Sequence, residues 1–182
     1  VELDRDLAAF LEKRFASSDN LTIHQHDILK FDLATLSRSD NEPKAGGEEK
    51  RLRVIGNLPY NISTPLIFNL LEQAQIITDM HFMLQLEVVE RLAASPGSKD
   101  WGRLGVMTQF RCEVEQLFEV PPEAFYPPPK VRSAVVRLTP HPEPQYPNVD
   151  PASLGRVVTQ AFSQRRKTLR NNFKGMMEDD DF

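Results

Sequence analysis

Between residues 52 and 93 the sequence twice runs from a short apolar stretch straight into a helical repeat: LRVIG into TPLIFNLLEQA, then DMHFMLQLE into EVVERLAAS. Apolar runs of this length, bounded by Gly, Pro and Asn and followed by i, i+3, i+4 spacing, read as buried strands that feed amphipathic helices. Two such units in succession, with no internal repeat, predict an α/β sheet with helices on both faces. Outside them, LTIHQ alternates Leu21, Ile23 and Gln25 as a short strand ending near Asp27, and VRSAVVRL alternates as another. VELDRDLAAFLEKRF carries Leu7, Phe10, Leu11 and Phe15 at helical spacing behind a strand end, and the segment around Cys112 reads as helix or strand on either side of it.

Prolines and charges punctuate the remainder. PPEAFYPPPK lacks backbone donors and is expected as a rigid extended loop. SRSDNEPKAGGEEK has no periodicity and is expected as a mobile loop. TPLIFNLLEQA has Pro65 in its first turn and Ser63 or Thr64 as its cap. TPHPEPQYPNVDP reads as a linker, and ASLGRVVTQAFSQRRKTLRNNF as one long helix with Leu154, Val158, Phe162, Leu169 and Phe173 along one side. A domain boundary is therefore expected near residue 145, dividing residues 1–145 from a helical part at 146–182.

Composition narrows the class. With 182 residues of which 40% are hydrophobic, the chain is long enough to bury a core. Its apolar runs fall well short of the roughly 20 residues that a bilayer requires, so a soluble, cytoplasmic protein with no membrane partner is expected. The single cysteine, Cys112, has no second cysteine for a disulfide or a zinc site and reads as a buried structural thiol. The net charge of −4 gives no global reason to expect a nucleic-acid partner, yet Arg165, Arg166, Lys167, Arg170 and Lys174 fall in the ten residues RRKTLRNNFK. That run is either a solvated helix face or a phosphate grip.

Ligands of open α/β sheets lie beyond the carboxyl ends of the strands. Glu2, Asp27 and Asn57 each follow a predicted strand. Two carboxylates and an amide so placed suit ribose hydroxyls, an exocyclic N–H and a nucleoside-like cofactor, and each could equally cap a helix. His24 and His26 are spaced i, i+2 but have no third metal ligand in sight, so they read as two polar positions on one strand face and no metal is expected. In VIGNLPYNIS, a strand ending in Gly runs into an amide, a proline-fixed backbone and an aromatic ring, a combination suited to something flat and polar.

The motifs ELDRDL, HQHDILKFD, GNLPYNISTPLIFNLL, MHFMLQLEVVERLAA, GRLGVMTQF, AFYPPPKVRSAVVRL and AFSQRRKTLRN stand in this order along nearly the whole chain. Together they resemble the ribosomal RNA adenine N6,N6-dimethyltransferases, and the bacterial small-subunit branch in particular. The resemblance implies a Rossmann-like class I S-adenosylmethionine-dependent methyltransferase sheet with a small C-terminal helical domain. It implies S-adenosylmethionine as methyl donor and no metal. The acceptors it implies are two adjacent adenosines near the 3′ end of 16S rRNA in the small ribosomal subunit, with a role in subunit biogenesis and a monomeric enzyme. By the same resemblance, Glu2 matches the acid that binds the cofactor ribose, Asp27, with its neighbour Ile28, the segment that meets the adenine, and Asn57 the first residue of the catalytic motif that continues through Leu58, Pro59 and Tyr60. Phe125 matches the aromatic that faces the target base, and Arg165, Arg166, Lys167 and Arg170 would contact RNA. The family's central strand and glycine-rich loop are expected upstream of Val1 and the end of its helical domain beyond Phe182, leaving LRVIG short of one neighbour. Plain core packing is the alternative for Tyr60 and Phe125. For the protein as a whole the alternatives are an RNA-binding assembly factor without turnover and a DNA or protein amide methyltransferase.

Overall fold

The computed structural model describes residues 1–38, 51–59, 61–164 and 166–176. The expected mobile loop falls almost wholly at 39–50, and Tyr60 and Arg165 also lie outside the described residues. The helices are α1 (Arg5–Arg14), α2 (Ala34–Arg38), α3 (Ser63–Glu72), α4 (Leu86–Ala93), α5 (Arg103–Gln109), α6 (Pro151–Ala161) and α7 (Leu169–Phe173). The strands are β1 (Leu52–Asn57), β2 (Ile77–Gln85), β3 (Cys112–Val120) and β4 (Ser133–Pro140).

The sheet order is β1-β2-β4-β3, with β1 parallel to β2 and β4 antiparallel to both its neighbours. The two strand-to-helix units deliver β1–α3 and β2–α4 as the spacing predicts. In β2, Met80, Phe82 and Leu84 are spaced by two and share one face; in β4, Ala134, Val136 and Leu138 do the same, and all six are buried. Leu66, Ile67, Leu70 and Leu71 of α3, Val89 and Leu92 of α4 and Leu104 of α5 close on them as one core. Each buried side chain of this size contributes on the order of 1.5–3 kcal/mol relative to exposure, which makes this layer the main source of stability.

The second face differs from the two-sided expectation. Among the described residues it carries a charge ladder instead of a helical layer: Arg53 donates to Asp79 through Nε at 2.7 Å and Nη2 at 2.8 Å, and Arg137 pairs with Glu115. Asp79 keeps the Arg53 guanidinium protonated above its ordinary range, chiefly through that hydrogen bond. Ile55 of β1 stands 76% exposed on the same face, and β1 has one strand partner among the described residues, β2.

Two further expectations are corrected. LTIHQ forms no ladder: it meets the N-terminal segment only at the parallel bridge Glu2–Gln25, through Glu2 N to His24 O and His26 N to Glu2 O, each 2.9 Å. With a single bridge, its alternating apolar residues gain no buried face, and Leu21 remains exposed. The long C-terminal helix is broken between Ala161 and Leu169. Asn172 is the physical reason: its buried amide donates to Ala161 O at 2.6 Å and Gln164 O at 3.4 Å, supplying partners to carbonyls that a continuous helix would have satisfied itself. Val158 and Phe173 are buried as expected, whereas Phe162 and Leu169 are exposed. At α3 the cap position is Ile62, without a side-chain bond, and Ser63 is already helical.

The proline-rich stretch after β4 is tied down. His141 Nε2 lies 3.0 Å from Gln109 O, the Tyr146 ring stacks on Phe110 at 6.0 Å, and Asp150 caps α6 by accepting from Ser153 N at 2.8 Å. Those bonds from Ser153 hold the Asp150 carboxyl below its usual range. Gly155 of α6 faces Met107 of α5, so α6 lies against the sheet domain just beyond the expected boundary.

Candidate active site

At the carboxyl ends of β1 and β2 the chain opens a cleft of about 370 Å³, lined by Asn57, Leu58, Pro59, Met83, Phe125, Tyr126, Pro127, Pro129 and Ser133. Two segments far apart in sequence meet here because β4 runs antiparallel beside β2. Register places Met83 opposite both Asn57 and Val135, and Gln85 opposite Ser133, so the loop that precedes β4 returns over the end of β1. Asn57, Leu58, Pro59 and Phe125, singled out in the sequence, therefore share one site.

Backbone bonds shape the motif. Leu58 N donates to Met83 O at 3.4 Å, prolonging the β1–β2 pairing by one residue, while Ile62 N turns back to Pro59 O at 3.2 Å. The Leu58 side chain is buried in the core, and a methyl at Gly56 would meet its Cδ2 at 2.9 Å, so glycine lets that side chain lie close against the strand end. Anchored from below, the motif turns its polar groups elsewhere: among the described residues no donor takes the Asn57 amide oxygen or the Leu58 carbonyl. Phe125 is half-buried, and Tyr126 is wholly exposed on the lip. The loop between β3 and β4 carries a 3₁₀ turn at Pro122–Ala124 and a cis Tyr126–Pro127 bond but is otherwise irregular, as its prolines require.

Glu2, Asp27 and Ile28 do not line this cleft. Glu2 Oε1 accepts from Asp4 N at 2.9 Å, and Asp4, not Glu2, caps α1 through Asp6 N and Leu7 N. Asp27 Oδ1 accepts from Leu29 N at 3.0 Å, and its Oδ2 lies 3.8 Å from Lys30 Nζ. Each carboxylate is thus oriented through one backbone-bonded oxygen, and the second oxygen of Asp27 faces Lys30. The Glu2–Gln25 bridge sets the two segments side by side, Asn69 Nδ2 fixes the Asp27 turn to α3 through Leu29 O at 2.9 Å, and Ile28 packs against the core. Such a pair fits a diol and an exocyclic amine.

His24 and His26 pack around Phe31 at 5.2 and 5.7 Å between ring centroids, and the described residues contain no cluster of three metal-ligating side chains. No described helix is long and apolar enough to cross a membrane. Arg166, Lys167 and Arg170 are exposed where α6 gives way to α7. Met83, Tyr126 and Ser133 join the cleft without having been singled out: only the pairing of β2 with β4 brings them there.

The sequence profile of the family described as Ribosomal RNA adenine dimethylase matches residues 1–181. The chain belongs to this family. A Ribosomal RNA small subunit methyltransferase A from Pseudomonas aeruginosa is 59% identical over 181 residues, covering 100% of this chain and 64% of its own length. The protein of that name from Nitrosococcus oceani is 60% identical over 177 residues, covering 97% and 64%. The chain thus spans a little under two thirds of the length of these curated relatives. Among solved structures, a dimethyladenosine transferase from Plasmodium falciparum superposes with a TM-score of 0.75 at 28% identity, over 94% of this chain and 57% of that one. The 23S rRNA methyltransferase ErmE superposes with 0.71 at 25% identity, over 96% and 64%. The adenine dimethylase family and these neighbours establish the Rossmann-like class I methyltransferase fold, which the mixed sheet displays.

Proposed function

We propose that the full-length protein is an S-adenosylmethionine-dependent dimethyltransferase acting on N6 of two adjacent adenosines near the 3′ end of 16S rRNA, within the small ribosomal subunit. The observation that carries this reading is the pair of unclaimed acceptors, Asn57 Oδ1 and Leu58 O, beside Phe125 in one cleft. Family membership and relatives named as small-subunit methyltransferases support the choice of RNA and subunit.

The N6 lone pair of adenine is delocalised into the ring and is a poor nucleophile. Acceptors on both N–H bonds favour the pyramidal amine in which that pair becomes available, and they act more strongly in the transition state than before it. Asn57 and Leu58 supply one acceptor each, and Pro59 fixes the backbone that aims the carbonyl. Phe125 covers one face of the flipped base, with Tyr60 as its counterpart, and stacking of this kind contributes about 1–3 kcal/mol. When bound, S-adenosylmethionine supplies an electrophilic methyl; the carboxylates of Glu2 and Asp27 would hold its ribose hydroxyls and adenine amine. Positioning the amine within about 3–3.5 Å of the methyl carbon provides most of the effect, so no strong general base is needed and the proton leaves to water.

Unmethylated small subunits incubated with full-length protein and labelled donor, followed by mass mapping of the product nucleotides, test the proposal. Two neighbouring dimethyladenosines near the 3′ end are expected. Binding without transfer would leave an assembly factor instead.

A further inference from the structure

Ser133 opens β4 and is held from both sides, opposite Gln85 of β2 and Val120 of β3. The residue is only 3% exposed, yet it lines the cleft beside Asn57, Leu58 and Pro59. Among the described residues no hydrogen bond engages its hydroxyl. Among the described residues His81 Nδ1, Thr108 Oγ1 and Asn172 Oδ1 also lack a hydrogen-bond partner, but none of the three lines this cleft. The Ser133 hydroxyl opens onto the cleft, where an occupant that displaces water can supply its partner.

The occupant in the function proposed above directs its exocyclic amine at Asn57 and Leu58. Those two acceptors fix the amine but not the ring, which can turn about the C6–N6 bond to present either its N1 edge or its N7 edge to a given wall. Both ring nitrogens of adenine accept and neither donates. We infer that the Ser133 hydroxyl donates to the ring nitrogen flanking the amine, and so selects one ring orientation and positions the base for transfer. This rests on the dimethyltransferase reading and adds a base-contacting, specificity-determining residue to it.

Single-turnover methylation by the full-length protein and its Ser133→Ala variant, on RNA carrying adenosine, 1-deazaadenosine or 7-deazaadenosine at the target, tests the inference. Removing the hydroxyl should slow transfer to adenosine by roughly five- to tenfold, as expected for one neutral hydrogen bond. One of the two deaza RNAs should be slowed equally with the unsubstituted protein and suffer no further slowing with Ser133→Ala; which one it is identifies N1 or N7. Effects that multiply for both analogues, or a variant as fast as the parent, would overturn the inference. Should the variant melt early, the unsubstituted protein still decides: no slowing on either analogue refutes the hydrogen bond. Failure of the parent reading shows differently, as no transfer to adenosine RNA at all.

Discussion

Asn57 is the residue on which the proposed chemistry turns most directly. Its side chain contributes nothing visible to packing and makes no bond among the described residues, so Asn57→Ala should leave the fold and RNA affinity nearly intact while turnover falls by roughly 10²–10³. Near-normal single-turnover rates in that variant would remove Asn57 from the mechanism. Cys112 illustrates the opposite situation, a group used only for packing. Its thiol donates to Thr108 O at 3.3 Å, and burial pushes it up from 9.0 to about 12. Because the folded value lies above the unfolded one, the stabilisation from keeping the thiol neutral is complete below about pH 9 and disappears as the pH rises through 12. Urea midpoints should therefore fall across that window, and by less in Cys112→Ala; equal falls would assign the alkaline destabilisation to other groups.

At the scale of elements, what could be read in the sequence was what local period and punctuation determine. The strand-to-helix units β1–α3 and β2–α4 were legible because each apolar run is bounded by Gly, Pro or Asn and then changes period. The break before α7 was not, because it depends on Asn172 reaching back to Ala161 and Gln164, an interaction that periodicity does not encode. The same division runs through the cleft. Asn57–Pro59 and Phe125 carry recognisable motifs, whereas Ser133 and Met83 enter through cross-strand register, and a one-residue slip would send both to the other face. Packing between α4 and α5 gives a test of this kind of non-local constraint. A Cβ on Gly105 would stand 2.7 Å from Arg91 O, a backbone atom that cannot swing aside. Gly105→Ala should cost about 1–3 kcal/mol through forced separation of the two helices. An unchanged melting temperature would mean that the carboxyl end of α4 gives way freely.

For the whole molecule the proposed function raises the question of how a chain with 26 acidic and 22 basic residues would bind a polyanion. Several of its acids are already matched: Glu115 by Arg137, Glu119 by Arg132 and Asp79 by Arg53. Paired charges produce fields that fade within a Debye length of roughly 8 Å at physiological salt, so attraction to RNA must come from cations that remain exposed and clustered. The run from Arg165 to Arg170 is the densest group of cations in the sequence, and Arg166 and Lys167 are exposed where α6 ends. Cations gripping phosphate release counterions, and each duplex phosphate neutralised contributes about 0.9 to the slope of log affinity against log salt. Replacing Arg165, Arg166 and Lys167 together by Ala should therefore weaken RNA binding and flatten that slope by about 0.9 for every phosphate that is no longer neutralised. Methyl transfer at saturating RNA should change much less, since in the proposed function the cluster would grip phosphate and leave the amine to Asn57 and Leu58. A slope identical to that of the parent protein would return the cluster to the role of a solvated face, and RNA affinity would then have to come from other cations.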